Sequence, residues 1–389
     1  MLLSNLSVNA HPALGLAFPG SDTSIYHYIS EGGMGSARLA ASWKYSGAGV
    51  AQRSGALNAL GINPLLTFEC NDEARTKTSS HGVVNQIPLD MNEWLTFVRD
   101  VVAATDAAYQ VVNEWNSPDN PNGGWKGTDQ ELIDFVVQTA NEIRAGGGTV
   151  YMGGITDFGL DAIVLNRGLA SYSVCTAPGS CLPPSFFQTQ AVTEQIAAKI
   201  AVLQGVAQAV DGLDLHLYGP PDRTALRVQA IRGEGWSKPL FSAECGGPSL
   251  NYENYSDEAH FMAVCELMLD IVSEGMWGQW FLLGEIPGSN SANARVALSA
   301  NGVPKPGYWA MKLLAHALEG ATSVTKNGTV YTVSHPQGGR VIAWGAGYLV
   351  VPPGKLWRVT DPVTGEYTVR TLWKSKSVPL TQWPLVAGL

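Results

Sequence analysis

The sequence predicts an α/β protein, a (β/α)8 TIM barrel followed by a small C-terminal antiparallel β-sandwich. Two observations carry the barrel. From residue 13 to residue 318, short apolar runs alternate with longer stretches of helical periodicity, the pattern of parallel strands joined by crossover helices. Several of those runs also lack apolar-polar alternation, as expected of strands covered on both faces. The sandwich rests on a third observation: after about residue 320 the helical pattern gives way to β-branched alternation broken by Asn327-Gly328, Gly338-Gly339, Pro352-Pro353-Gly354 and Thr364-Gly365, which are hairpin signals.

In chain order the strand candidates are residues 13–18 (ALGLAF), 36–42 (SARLAAS), 62–70 (INPLLTFEC), 107–114 (AAYQVVNE), 148–154 (GTVYMGG), 211–218 (DGLDLHLY), 238–245 (KPLFSAEC) and 276–283 (MWGQWFLL). The clearest helix starts at Thr128, where Thr-Asp-Gln-Glu forms a capping box with Glu131. Its apolar face runs Leu132, Phe135, Val136, Ala140, Ile143, and it stops at Gly146 to Gly148. Other helical patterns fall at about 90–104, 188–209, 256–274 and 305–318, with weaker ones after the first, second and sixth strands. Residues 155–187 read as a long loop on the catalytic side, a candidate cleft wall. The barrel is expected to span 11–319 and the sandwich 320–389, with residues 1–10 as a candidate extra strand of the latter.

Composition excludes several classes of function. A net charge of -9 without a basic stripe argues against nucleic acid and anionic membranes as partners. The most apolar long segment, 259–283, contains Glu266, Asp270 and Glu274 and is not expected to span a membrane. The N-terminal Met-Leu-Leu-Ser-Asn-Leu-Ser lacks the features of a secretory signal, so localisation stays open, as does oligomeric state. Of five cysteines, Cys175 and Cys181 flank Thr-Ala-Pro-Gly-Ser and are candidates for a small-loop disulfide, while Cys70, Cys245 and Cys265 read as small buried hydrophobes. No metal site and no cofactor are expected: His-x-x-x-His and Cys-x-x-Cys spacings, phosphate loops, dinucleotide fingerprints and the Gly-x-Ser-x-Gly elbow are all missing from the sequence.

The C-terminal ends of barrel strands point into the active-site mouth, so polar residues there are the candidates for chemistry. The fourth strand ends on Asn113-Glu114 and the seventh on Glu244, which gives two carboxylates on nearly opposite strands. Breaking a glycosidic bond needs such a pair, one to protonate the leaving oxygen and one to attack the anomeric carbon or activate water. Around them fall Arg38 at the end of the second strand, His216 and Tyr218 at the end of the sixth, and Trp280 at the end of the eighth. Each has a plainer reading: a structural ion pair for Arg38, a core histidine for His216, packing aromatics for Tyr218 and Trp280. Their joint occurrence at strand ends favours a site. A pyranose offers an apolar C–H face to an aromatic ring, which makes Trp280 the candidate sugar floor, and Trp43, Trp115 and Trp125 also fall in or beside strand-end loops. Trp344, Trp357 and Trp373 are expected in the sandwich core. Glu69, Asp72, Asp157 and Glu285 are further candidates for binding hydroxyls.

With these residues, residues 12–318 resemble clan A, the large superfamily of retaining glycoside hydrolases whose barrels carry an Asn-Glu acid/base after strand four and a Glu nucleophile after strand seven. The tail resembles the small sandwich of family 39 and similar members. The resemblance implies a carbohydrate substrate, no cofactor, Glu114 as general acid/base, Glu244 as nucleophile and Asn113 as a donor to the sugar 2-hydroxyl. Glu244 must be ionised, which Arg38 and a Tyr218 hydrogen bond favour, and Glu114 must carry the proton, which the charge of Glu244 favours. The resemblance leaves sugar and mode open, since such members act both exo and endo, and the loop aromatics lean towards endo action. With no secretory signal, the options are a cytoplasmic protein, release by lysis or carriage on a phage particle, as for some polysaccharide depolymerases. The rival reading is a non-catalytic carbohydrate-binding or structural protein, extracellular or of a virion, that kept the barrel; intact carboxylates argue against it.

Overall fold

The computed structural model describes residues 11–17, 26–44, 46–77, 85–117, 124–177, 179–246, 256–283, 297–300, 303–336 and 338–388. Eight parallel strands close into a barrel: β1 His11–Ala17, β2 Met34–Ser42, β3 Asn63–Glu69, β4 Ala108–Val111, β5 Val150–Ile155, β6 Gly212–Leu215, β7 Leu240–Gly246 and β8 Gly278–Phe281. Each pairs with the next, and β8 returns to β1. β7 is buried along its whole length and β3 at every residue but its first, the double-sided burial that their unbroken apolar runs predict.

The helices are α1 His27–Glu31, α2 Gly47–Asn58, α3 Met91–Ala104, α4 Asp129–Ala145, α5 Asp157–Asn166, α6 Gln190–Val206, α7 Thr224–Gly233, α8 Asp257–Ser273 and α9 Pro306–Leu318. Polar caps fix where several start: Ser46, Asp90, Thr156 and Ser256 accept first-turn amides, and Thr128 makes the full capping box with Glu131. The whole predicted apolar face of α4 is buried, each large side chain contributing roughly 1.5–3 kcal/mol. Among the described residues no helix is long and apolar enough to cross a membrane.

Three expectations need correction. Residues 155–187 are not a long loop: α5 begins at Asp157, a hairpin pairs Val174–Ala177 with Ser180–Leu182, and a 3-10 turn covers Pro184–Gln188. The near-continuous apolar content of α5 hides its period, because most of the helix is buried. β4 stops at Val111 rather than at Glu114, and β6 breaks at His216 before resuming as Leu217–Tyr218. The hairpin does carry the Cys175–Cys181 disulfide, and Cys70, Cys245 and Cys265 are buried free thiols.

From Ser323 onward the chain is antiparallel. Strands β9 Ser323–Asn327, β10 Val330–Ser334, β11 Arg340–Ala343, β12 Tyr348–Val351, β13 Gly354–Asp361, β14 Glu366–Leu372, β15 Lys376–Pro379 and β16 Leu385–Ala387 form a six-stranded sheet ordered β9-β10-β11-β16-β13-β14 and the pair β12-β15. The two pack through Val351, Leu356, Val378, Leu385 and Ala387. Polar contacts tie this sandwich to the barrel helices. Asp270 of α8 accepts from the Tyr331 hydroxyl at 2.6 Å and from Lys326, and Arg340 donates to the carbonyls of His316, Ala317 and Glu319 at the end of α9. Trp344 is buried and Trp357 partly so, but Trp373 is 91 % exposed and is not core. Residues 1–10 and Glu285 lie outside the described residues.

Candidate active site

The turn after β4 decides where Glu114 points. Val112 and Glu114 both adopt positive φ, 62° and 44°, which few non-glycine residues do and which a β-branched valine does rarely. Neighbouring backbone holds this conformation: Val112 N–H donates to Phe68 O, Gly124 N–H to Asn113 O and Ser117 N–H to Glu114 O. Gly153 makes room for it, since a Cβ there would sit 2.2 Å from the Val112 carbonyl oxygen. The apolar run of β4 therefore ends in a kink that turns Asn113 and Glu114 inward.

Across the mouth, the two oxygens of Glu244 are held separately. Oε2 accepts from Arg38 Nη1 at 2.8 Å and Oε1 from the Tyr218 hydroxyl at 2.7 Å. Arg38 lies in the middle of β2 rather than at its end and is 0 % exposed; its Nη2 donates to Asn113 Oδ1 at 2.6 Å and its Nε to Thr67 Oγ1 at 2.7 Å. One guanidinium thus orients both the carboxylate of β7 and the amide beside Glu114. His216 fills the break in β6, with Nδ1 2.9 Å from Glu114 Oε1, Nε2 3.2 Å from Asp214 Oδ2 and 3.8 Å from Glu244 Oε2. Gly154 lies under its ring, where a Cβ would come within 2.1 Å.

Electrostatics follow from this packing. Burial alone would push the His216 imidazolium down, but the Glu244 charge, then Asp214 and the bonds to Asp214 and Glu114, outweigh it and raise its pKa to about 10. Burial and the Glu244 charge push the Tyr218 hydroxyl well above its usual range, which keeps it a donor. One ligand-type atom each of Glu114, His216 and Glu244 lie within 4.8 Å of one another, a spacing a metal ion would also accept. The donor chemistry disfavours a dication, because the Arg38 cation and the His216 imidazolium already stand against these carboxylates. The arrangement suits proton transfer and carboxylate nucleophilicity instead.

No protein-family model matches the chain, and no curated protein matches it by sequence. Solved structures do. A family 39 glycoside hydrolase from the gut symbiont Bacteroides cellulosilyticus WH2 superposes with a TM-score of 0.62 at 14 % identity, covering 96 % of this chain and 80 % of that one. At that identity the likeness is one of fold, a (β/α)8 barrel with a C-terminal β-sandwich. A GH30 endoxylanase from Clostridium papyrosolvens C71 gives 0.61 at 13 % identity over 100 % of this chain and 98 % of its own. The subfamily 8 xylanase Xyn30A from Clostridium acetobutylicum gives 0.61 at 12 % identity, with coverages of 96 % and 95 %.

Within this barrel, hydrogen bonds join Arg38, Asn113, Tyr218 and Glu244 in one group and His216 and Glu114 in another, and the 3.8 Å ion pair between His216 and Glu244 brings the two together. The tryptophans behave differently. Trp280 is 0 % exposed and Trp115 1 %, so neither offers a ring face to a sugar in this structure. Trp280 packs near His260, and the Trp115 indole donates to Gly153 O at 3.0 Å, bracing the β5 glycines under the Glu114 turn. Trp115 also borders a cavity of about 500 Å³ between α5 and α6 that neither glutamate lines. Trp125 is buried on Phe135, and Trp43 on Trp94. Aromatic type at a strand end was too weak a signal, because the layer behind the mouth also needs large apolar side chains.

Of the other polar candidates, Asp72 pairs with Arg75 and Asp157 sits in the first turn of α5. Glu69 is buried at the end of β3, bonded to Asn71, which is bonded in turn to Ser42. Burial raises its carboxyl to about 7, with Arg38 opposing and Glu244 adding to the rise. A carboxyl whose folded pKa is raised binds its proton longer in the native than in the unfolded state. Stability contributed at low pH is therefore lost as pH climbs from about 4.5 to about 7. Glu69→Gln is expected to match wild type in thermal unfolding at pH 4 and to exceed it above pH 7, on the order of 2 kcal/mol. An unchanged difference across that range would refute the assignment.

Proposed function

We propose that the chain is a retaining glycoside hydrolase that cleaves O-glycosidic bonds of a polysaccharide or oligosaccharide through a covalent intermediate on Glu244. The close approach of the two carboxyl groups carries this reading. An oxygen of Glu114 and one of Glu244 lie within 4.8 Å, a nearest-atom approach that suits retaining pairs, whose carboxyl groups stand roughly 5–5.5 Å apart, better than inverting pairs, which stand roughly 6.5–9.5 Å apart with a water between them.

In the first step Glu114 gives its proton to the glycosidic oxygen while a Glu244 oxygen attacks the anomeric carbon. The C–O bond to the leaving sugar breaks and a glycosyl ester forms. Glu114, now a carboxylate, then takes a proton from water; the water oxygen attacks the same carbon, and the ester releases Glu244. Arg38 and Tyr218 keep Glu244 aimed through both steps. Asn113, whose Oδ1 is held by Arg38, retains its amide hydrogens for a substrate hydroxyl.

The test is product stereochemistry. Polysaccharides and aryl glycosides incubated with the protein and followed by proton NMR are expected to release the substrate's own anomer first. Initial release of the opposite anomer would overturn double displacement, and inertness across a broad panel would overturn hydrolysis.

A further inference from the structure

A chain of hydrogen bonds links the two glutamates, running beyond Arg38 through residues that the reaction above does not use. From Glu244 it runs to Arg38, from Arg38 Nε to Thr67 Oγ1 (2.7 Å), from the Thr67 hydroxyl to Gln110 Oε1 (2.8 Å), from Gln110 Nε2 to Asp214 Oδ2 (2.6 Å), and from Asp214 to His216 and Glu114. Arg38, Thr67, Gln110, Asp214 and His216 are all fully buried, on β2, β3, β4, β6 and the break after β6. The second Asp214 oxygen accepts from the Ala243 amide of β7 at 2.7 Å.

The chain has a direction. A guanidinium only donates, so Thr67 Oγ1 accepts from Arg38 and spends its own hydrogen on Gln110 Oε1. That leaves the Gln110 amide nitrogen facing Asp214, whose carboxylate accepts at both oxygens. His216 Nε2, the remaining partner, must then be the donor. With Nε2–H fixed, one proton is left to place, the one between His216 Nδ1 and Glu114 Oε1.

We propose that Asp214, backed by Gln110, is a positioning residue that locks His216 as the Nε2–H tautomer, so that Nδ1 exchanges with Glu114 the proton destined for the leaving group. The idea rests on Glu114 being the acid/base. The step balances: the single proton shared by Nδ1 and Glu114 passes through Glu114 to the glycosidic oxygen, leaving a neutral imidazole and a Glu114 carboxylate. After hydrolysis the proton that Glu114 takes from water restores the imidazolium. Timing follows from charge. The groups facing His216 are Glu114, Asp214 and Glu244, and Glu244 contributes most to holding the imidazolium. When Glu244 becomes an ester its charge vanishes, and the His216 proton is released as the leaving oxygen needs it.

Nitrogen-15 NMR of the histidines in wild type needs neither a variant nor turnover. The expected result is both His216 nitrogens protonated at pH 7, with Nδ1 deprotonating first as pH rises and Nε2–H persisting. A neutral His216 protonated at Nδ1 with a bare Nε2 would overturn the proposal. In Asp214→Asn, Oδ1 still faces the Ala243 amide, so the new NH2 confronts both Gln110 Nε2 and His216 Nε2, removes the acceptor that held Nε2–H and drives the ring to Nδ1–H. The expected kinetic effect is a loss of about 10²–10³-fold in kcat/KM for glycosides with sugar leaving groups and a loss below about tenfold for dinitrophenyl glycosides, which need no proton. Equal loss on both would make Asp214 merely structural and refute the positioning role. An inert wild type would refute the hydrolase reading alone, because the tautomer is read without turnover.

Discussion

Glu244→Gln is expected to lower kcat on any substrate by about 10⁵-fold, the scale of losing a catalytic nucleophile. The amide is nearly isosteric, keeps an oxygen for the Tyr218 hydroxyl or for Arg38, and should leave sugar affinity intact. It cannot attack an anomeric carbon. Glu244→Ala is expected to be worse for the fold, costing about 3–5 kcal/mol, because it strands the fully buried Arg38 charge without its anionic partner. That cavity also gives a chemical test. Azide admitted beside the anomeric carbon should restore turnover of activated glycosides and yield a glycosyl azide of inverted configuration. A Glu244→Gln enzyme within tenfold of wild type would remove Glu244 from the mechanism and leave the barrel as a scaffold for some other chemistry.

The barrel was legible because its strands are buried on both faces and read as unbroken apolar runs, and because Thr128 and Glu131 announce α4 unambiguously. The acidic residues were legible because strand ends fall at predictable places and an ionisable side chain there stands out. Two kinds of feature were not. The positive-φ kink at Val112 and Glu114 depends on Gly153, forty residues away in sequence and adjacent only once β4 and β5 pair, so 107–114 looked like one strand. The inner chain of hydrogen bonds stayed hidden for a different reason. Thr67, Gln110 and Asp214 each sit within an apolar run, away from the strand ends where polar candidates are sought. A buried hydroxyl, amide or carboxylate in such a run costs several kcal/mol unless paired, so three of them on nearby strands were a signal in themselves. The tryptophans erred in the opposite direction: their type suits sugars, but burial is a tertiary property that local sequence does not carry.

Glu114→Ala is expected to separate the two steps of the reaction. For substrates whose leaving group is a sugar hydroxyl, loss of the proton donor should lower kcat/KM by about 10³-fold, within the range of general acid catalysis. For dinitrophenyl glycosides the first step needs no proton and should proceed nearly as in wild type, because Glu244, Arg38 and Tyr218 do not depend on Glu114 for their contacts. The second step still lacks its base. The glycosyl ester should therefore accumulate, giving a burst of dinitrophenolate, a low kcat and a depressed KM. Azide, which attacks without a base, should raise that kcat and give a glycosyl azide of retained configuration, the opposite of the Glu244→Ala product. The pair of azide products assigns the two carboxylates independently of any structure. Identical configurations from both variants would mean that the residues do not divide acid/base and nucleophile between them, and a uniform loss across leaving groups would mean that Glu114 only shapes the mouth.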